Sequence, residues 1–213
     1  MIPETGTTLR RRPLRYVALG DSYTIGTSVG IEERWPNQLV AALGGAGSAP
    51  PLGLLANLGV DGFTSLDVLE KELPQLDALE PEFLTLLIGV NDVIQGVSIE
   101  QYRQEVGVIL DDLVGRVGPQ RVLVVTSPDY TVTPAGADYG DPRVRSAAIR
   151  ESNETLAALA RARDIEAVDI WVLSKRAGED RSLVAADGLH PSGRQYALWV
   201  ERILLIAREV LRR

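Results

Sequence analysis

The chain contains one histidine, His190, so any chemistry that needs an imidazole base falls on that residue. Asp187 stands three residues before it, across Gly188. At that spacing a carboxylate can reach the imidazole Nδ1–H, fix the tautomer and leave Nε2 free to take a proton. A lone histidine is as readily a surface or satisfied core residue, and the pair alone leaves both readings open. Ser22 follows the apolar run Tyr16-Val17-Ala18-Leu19 and the turn Gly20-Asp21. A serine there is either a helix N-cap or a nucleophile whose hydroxyl stands at a sheet edge. Asn91, in Gly89-Val90-Asn91-Asp92 after another apolar run, is either turn chemistry or an amide donor close to where an oxyanion from Ser22 attack would form. Taken together and in this order, the residues spell acyl transfer by a serine nucleophile, a histidine base and a carboxylate.

Such side chains converge only if the elements before them end on one edge. Short apolar runs at 16–20, 54–58, 83–88, 121–126 and 165–170 read as strands, most of them followed by polar or glycine-containing turns. Runs of this kind suit parallel strands buried on both faces. Amphipathic segments at 35–43, 65–73, 99–117, 142–163 and 192–211 read as helices. In the last of these Tyr196, Val200, Ile203, Ala207 and Val210 line one face, and Ser192 is placed to cap its start. The alternation predicts a parallel sheet covered by helices, with ligands bound beyond the carboxyl ends of its strands. The irregular stretch 127–141, rich in Pro and Gly and carrying Tyr130 and Tyr139, follows a strand and belongs on that edge. A loop of that length is expected to be functional.

Four blocks, Gly20-Asp21-Ser22, Asn57-Leu58-Gly59-Val60-Asp61-Gly62, Gly89-Val90-Asn91-Asp92 and Asp187-Gly188-Leu189-His190-Pro191, resemble the signature blocks of SGNH (GDSL-type) serine hydrolases. The resemblance runs from the first strand to the final helix. It implies a flavodoxin-like three-layer α/β/α sandwich with about five parallel strands, residues 15–213 forming one hydrolase domain behind an N-terminal arm at 1–14. It also implies Ser22 as nucleophile, Asp187 and His190 as its partners, and an oxyanion hole made by the Ser22 and Gly62 amides with the Asn91 side chain. Gly59 is the fallback for Gly62. Tyr23 stands where the family often has Leu, and Asp61-Gly62-Phe63 where it commonly reads Ser-Gly-Asp. The activity implied is hydrolysis of carboxylic esters, short-chain acyl or acetyl, with no cofactor. An acyltransferase using the same triad is the near alternative.

Several rivals are weaker. Gly26-Thr27-Ser28-Val29-Gly30 matches the nucleophile-elbow pattern, yet no strand directly precedes it and only one strand comes earlier. The stretch from Ser22 to Thr27 loosely resembles a flavodoxin phosphate loop. A flavin-binding module would leave Asp187 and His190 unexplained. Asp111-Asp112 and Asp138 with Asp141 could invite a metal, but one His and no Cys do not supply a transition-metal ligand set, and none is assigned. The absence of cysteine also excludes disulfides and thiol catalysis. A net charge of −7 disfavours nucleic acid or an anionic membrane as partner. The basic run Arg10-Arg11-Arg12 lacks the apolar stretch of a signal peptide, so a cytoplasmic location is expected. The expected partner is a small-molecule ester in a pocket lined by residues 23–35, Phe63, 93–97 and 127–141.

Overall fold

The computed structural model describes residues 12–44 and 49–213. Its elements run β1 (Leu14–Gly20), α1 (Ser22–Ile25), α2 (Trp35–Leu43), β2 (Leu52–Asn57), α3 (Ser65–Asp67), α4 (Leu76–Leu79), β3 (Phe83–Leu87), α5 (Val90–Gln95), α6 (Ile99–Val117), β4 (Val122–Val125), α7 (Pro142–Arg161), β5 (Glu166–Val168), α8 (Trp171–Lys175) and α9 (Gly193–Arg212). The strands form one parallel sheet in the order β2-β1-β3-β4-β5. This is the flavodoxin-like sandwich expected of the sequence. Of the expected N-terminal arm, residues 1–11 lie outside the described residues, and Leu14 already opens β1.

Period-two alternation divides the strand side chains between two cores. Tyr16 and Ala18 of β1, Phe83 and Leu87 of β3, and Leu123 and Val125 of β4 pack with Trp35 and Leu39 of α2 and with Tyr196, Trp199 and Ile203 of α9. Val17, Leu19, Leu84, Leu86, Val122 and Val124 face the other way, against Tyr102, Val106 and Ile109 of α6 and Leu156 of α7. Both faces being covered is why these strands carry no alternating polar residues. Each fully buried Leu or Phe contributes about 1.5–3 kcal/mol.

The helices stop where local chemistry dictates. Ser98 caps α6 by accepting from the Gln101 amide at 3.2 Å, and Gly118 at φ 79 ends it. Asp141 accepts from the Arg143 and Val144 amides at the start of α7, so this candidate metal carboxylate is a cap. Asp111 and Asp112 are paired with Arg163 and Arg116.

The expected helix at 65–73 is the one that breaks. After α3 the chain passes through a π-helical turn, Val68–Glu72, then a 3-10 turn, Leu73–Gln75, before α4. Pro74 has no N–H to donate back into the preceding turn, and the wider turn lets the chain pass it. Val68 and Glu72 both end up buried.

Candidate active site

The site is built where β1, β2 and β3 end side by side. Gly20 closes β1 opposite Leu87 with φ 147, and a Cβ there would lie 2.1 Å from the Leu87 carbonyl oxygen. Only glycine lets the two strands stay paired at this point. The next residue, Asp21, is the N-cap of α1, its Oδ1 accepting from the Tyr23 amide at 2.9 Å. Ser22 is therefore the first helical residue and not the cap, which removes the bland reading of that serine. Its side of the turn is tightly enclosed, leaving it 6% exposed.

The segment after β2 wraps around α1. A register shift between Tyr16 and Val17 brings Asn57 opposite Ala18. There its Nδ2 donates to the Thr24 carbonyl at 2.8 Å, and its Oδ1 accepts from the Gly59 amide at 3.2 Å. Gly59 is jammed against α1, since a Cβ would meet the Asp21 oxygen at 2.7 Å and the Ile25 nitrogen at 2.8 Å. Gly62 has φ 83 and open space around its Cα. Its carbonyl accepts from Gln95 Nε2 at 3.0 Å. Beyond β3, Asn91 sits in the first turn of α5, and its Nδ2 donates to the Phe63 carbonyl at 2.9 Å. That bond places Asn91 directly beside the Gly62-Phe63 segment.

His190 and Asp187 lie in a closed turn held by an antiparallel bridge between Val184 and Pro191 and by the Ala185 amide donating to the His190 carbonyl at 2.8 Å. Asp187 Oδ2 is 2.6 Å from His190 Nδ1. Its Oδ1 accepts from the Leu189 and His190 amides at 2.8 and 2.9 Å. A further donor reaches Oδ2 from afar, the Ser28 hydroxyl at 2.5 Å. Partial burial alone would raise the Asp187 carboxyl, but the Ser28 hydroxyl, the Leu189 amide and the His190 donors outweigh it and hold the group at about 2. It stays ionised throughout the neutral range. The His190 ring packs on Tyr23, centroids 5.3 Å apart, which puts it against the residue next to Ser22. The His190 Nδ1 side is taken by Asp187, and no hydrogen bond joins His190 Nε2 to Ser22 Oγ.

The loop at 127–141 reaches the same turn, the Ala135 amide donating to the Gly188 carbonyl at 3.0 Å. A groove of about 1050 Å³ lies elsewhere, along β5 between α7 and α8, and of the expected pocket residues it takes only Val132.

Three residues escaped the sequence reading. Glu72 is fully buried, and its Oε2 accepts from the Gly20 amide at 3.0 Å, directly beneath the Ser22 turn. Burial pushes it up to about 9, the Gly20 amide opposing and the Asp21 charge adding. Asp21 is likewise pushed up by burial, to about 8, and each of the two carboxyls keeps one buried oxygen without a partner. The available signal was a glutamate four residues after Val68, on the inward stripe of an amphipathic segment. Ser65 gave no signal at all. Its hydroxyl faces both Asp92 and Glu105, and its amide donates to Asp92. One hydroxyl proton cannot serve two carboxylates, which fits the raised carboxyl of Asp92, a shift caused chiefly by burial. Ser28 was legible only as part of an elbow-like pattern.

The parallel three-layer sandwich thus carries Ser22, Asn91 and the Asp187–His190 pair on one side of the β1, β2 and β3 ends. A family model, GDSL-like Lipase/Acylhydrolase, matches residues 18–198, and the chain belongs to that family. Solved structures agree in fold. A lipolytic protein of the G-D-S-L family from Veillonella parvula is 20% identical over 90% of this chain and 97% of its own, with a TM-score of 0.72. A lipase/acylhydrolase from Enterococcus faecalis is 19% identical over 93% and 97%, TM-score 0.72. The acetylxylan esterase Axe2 from Geobacillus stearothermophilus is 19% identical over 92% and 94%, TM-score 0.71. No curated protein matches the sequence. Among the described residues no helix is long and apolar enough to cross a membrane.

Proposed function

We propose that the protein is a serine esterase that hydrolyses carboxylic esters of short acyl groups, acetyl among them, through an acyl-enzyme on Ser22. The observation that carries this reading is the 2.6 Å contact between Asp187 and the chain's sole histidine, whose ring packs on the neighbour of Ser22. Membership of the acylhydrolase family agrees with it, and the fold likeness to an acetylxylan esterase supports the acetyl end of the range.

In the proposed cycle Ser22 Oγ attacks the ester carbonyl while His190 Nε2 takes its proton. Asp187 holds the Nδ1–H and stabilises the imidazolium. The Ser22 amide, first in α1, has no acceptor within the helix and is free for the oxyanion. Gly62 is favoured over Gly59 as the second donor because the Gly59 amide is already committed to Asn57. Asn91 supplies the third donor through the amide hydrogen that Phe63 does not use. Collapse of the tetrahedral species breaks the C–O bond, and His190 gives its proton to the departing alcohol. Water then repeats the attack on the acyl-enzyme and frees the acid.

A p-nitrophenyl ester panel of rising acyl length, run beside Ser22→Ala, tests the reading. Activity that falls with chain length and vanishes in the variant is expected. Turnover that survives the loss of Ser22 would refute it.

A further inference from the structure

We propose that Ser28 is a positioning residue for the Asp187–His190 pair: its hydroxyl, presented by a left-handed backbone, anchors the Asp187 carboxylate to the segment that leaves the Ser22 helix. The inference rests on the proposed function above.

Four donors grip the Asp187 carboxylate, and three of them, the Leu189 amide, the His190 amide and His190 Nδ1, belong to its own turn. Bonds within a turn shape it but do not tie its carboxylate to the Ser22 segment. The fourth donor, Ser28 Oγ, comes from 159 positions away in the chain and takes the same oxygen that faces His190 Nδ1. Among the described residues it is the one hydrogen bond that ties this carboxylate to the segment following α1, hence toward Ser22. A carboxylate held at both oxygens cannot rotate away from the imidazole, so Nε2 keeps its aim.

The backbone at Ser28 points the same way. Its φ is +67, a region that L residues enter at a cost and serine seldom adopts. The other described non-glycine residues with positive φ are Glu80, which caps the end of α4, and Asp164, which follows α7. Ser28 ends no helix, for Gly26 already caps α1. Glycine would occupy this conformation freely. The strained serine makes sense if its hydroxyl is what the position supplies.

The test compares the full chain with Ser28→Gly and Ser28→Ala. Removing a hydrogen bond to a charged group should lower kcat by about ten-fold or more in both variants. KM should stay within about two-fold, because the bond acts through the base and not on the substrate. Ser28→Gly should unfold at the same or a higher temperature than the unaltered protein, since it sheds the backbone cost. Because His190 is the only histidine, its Nδ1–H gives a single proton resonance, which should move or broaden in Ser28→Gly. Full kcat with an unchanged resonance would overturn the proposal. So would a loss of kcat that came with a lower unfolding temperature and an unchanged resonance. If Ser22→Ala is inactive while Ser28→Gly is normal, only the role of Ser28 fails. If Ser22→Ala stays active, or a fluorophosphonate labels Ser28, the proposed function fails first and takes this inference with it.

Discussion

Replacing Glu72 with glutamine should stabilise the protein, and by an amount that grows with pH. Glu72 lies buried under the Ser22 turn, with Asp21 and Asp67 as the charges that raise it and only the Gly20 amide to oppose them. Its carboxyl is pushed up from 4.5 to about 9. A carboxyl raised on folding lends its full stability below the unfolded value, and that stability drains away as pH climbs toward the folded value. Between those limits the unfolded chain gives up a proton that the folded protein keeps, at about 1.4 kcal/mol per pH unit. From pH 5 to pH 8 the penalty therefore grows by about 4 kcal/mol, an upper figure because water drawn toward an ionised Glu72 would soften it.

Glutamine keeps the carbonyl that accepts from Gly20 and cannot ionise, so the variant carries no such slope. Urea unfolding at pH 5, 6, 7 and 8 should show the two proteins diverging steadily. In heat, the gap at pH 8 should reach roughly 10 °C for a chain of this size. Esterase activity at neutral pH should survive, because the neutral acid and the amide hold the turn alike. A stability difference that does not change with pH would refute the reasoning, and would mean that Glu72 is ionised in the folded protein.

Ser22→Ala and His190→Ala should each lower kcat by about 10³-fold or more with the circular dichroism unchanged, and the double variant should be little worse than either. Asn91→Ala should cut kcat by roughly 10²–10³-fold, about 3–4 kcal/mol, and leave KM nearly alone; an effect on KM only would move the oxyanion hole elsewhere. Asp92→Ala should cost about 1–3 kcal/mol of stability, read by urea unfolding, because it strands the buried Ser65 amide while the Ser65 hydroxyl keeps Glu105; kcat should change far less than in Asn91→Ala.

The parts of the fold that pattern could reach were reached. α2 and α6 begin and end where the periodicity places them, at 35–43 and 99–117. The five strands fall within the expected runs or extend them by up to two residues, and the central β3 and β4, buried throughout, lie wholly inside theirs because such strands have few polar residues to blur them. The failures share a cause. α1, of four residues, is shorter than any window in which a 3.6-residue period can be read. The break after Asp67 depends on how the chain passes Pro74, and the role of Glu72 depends on a contact with Gly20 fifty-two positions away. Ser28 and Asp187 are farther apart still. Long-range pairings of single polar atoms leave no periodic trace.

Glu72 belongs to a buried acidic layer directly under and around the proposed machinery. A fully apolar floor under Gly20-Asp21-Ser22 would be cheaper, yet Asp21, Glu72 and Asp92 are all buried there and all raised. Each accepts from a backbone amide that ends a strand or starts a helix, those of Tyr23, Gly20 and Ser65. Such amides have no partner in regular structure and would otherwise be stranded away from water. At these strand ends the chain must turn sharply and stay buried, so side-chain acceptors have to replace the sheet and helix bonds that the turns interrupt. The raised carboxyls thus follow from setting the Ser22 turn at the end of a buried strand, and the pH-dependent loss of stability expected at Glu72 is the measurable cost of that placement.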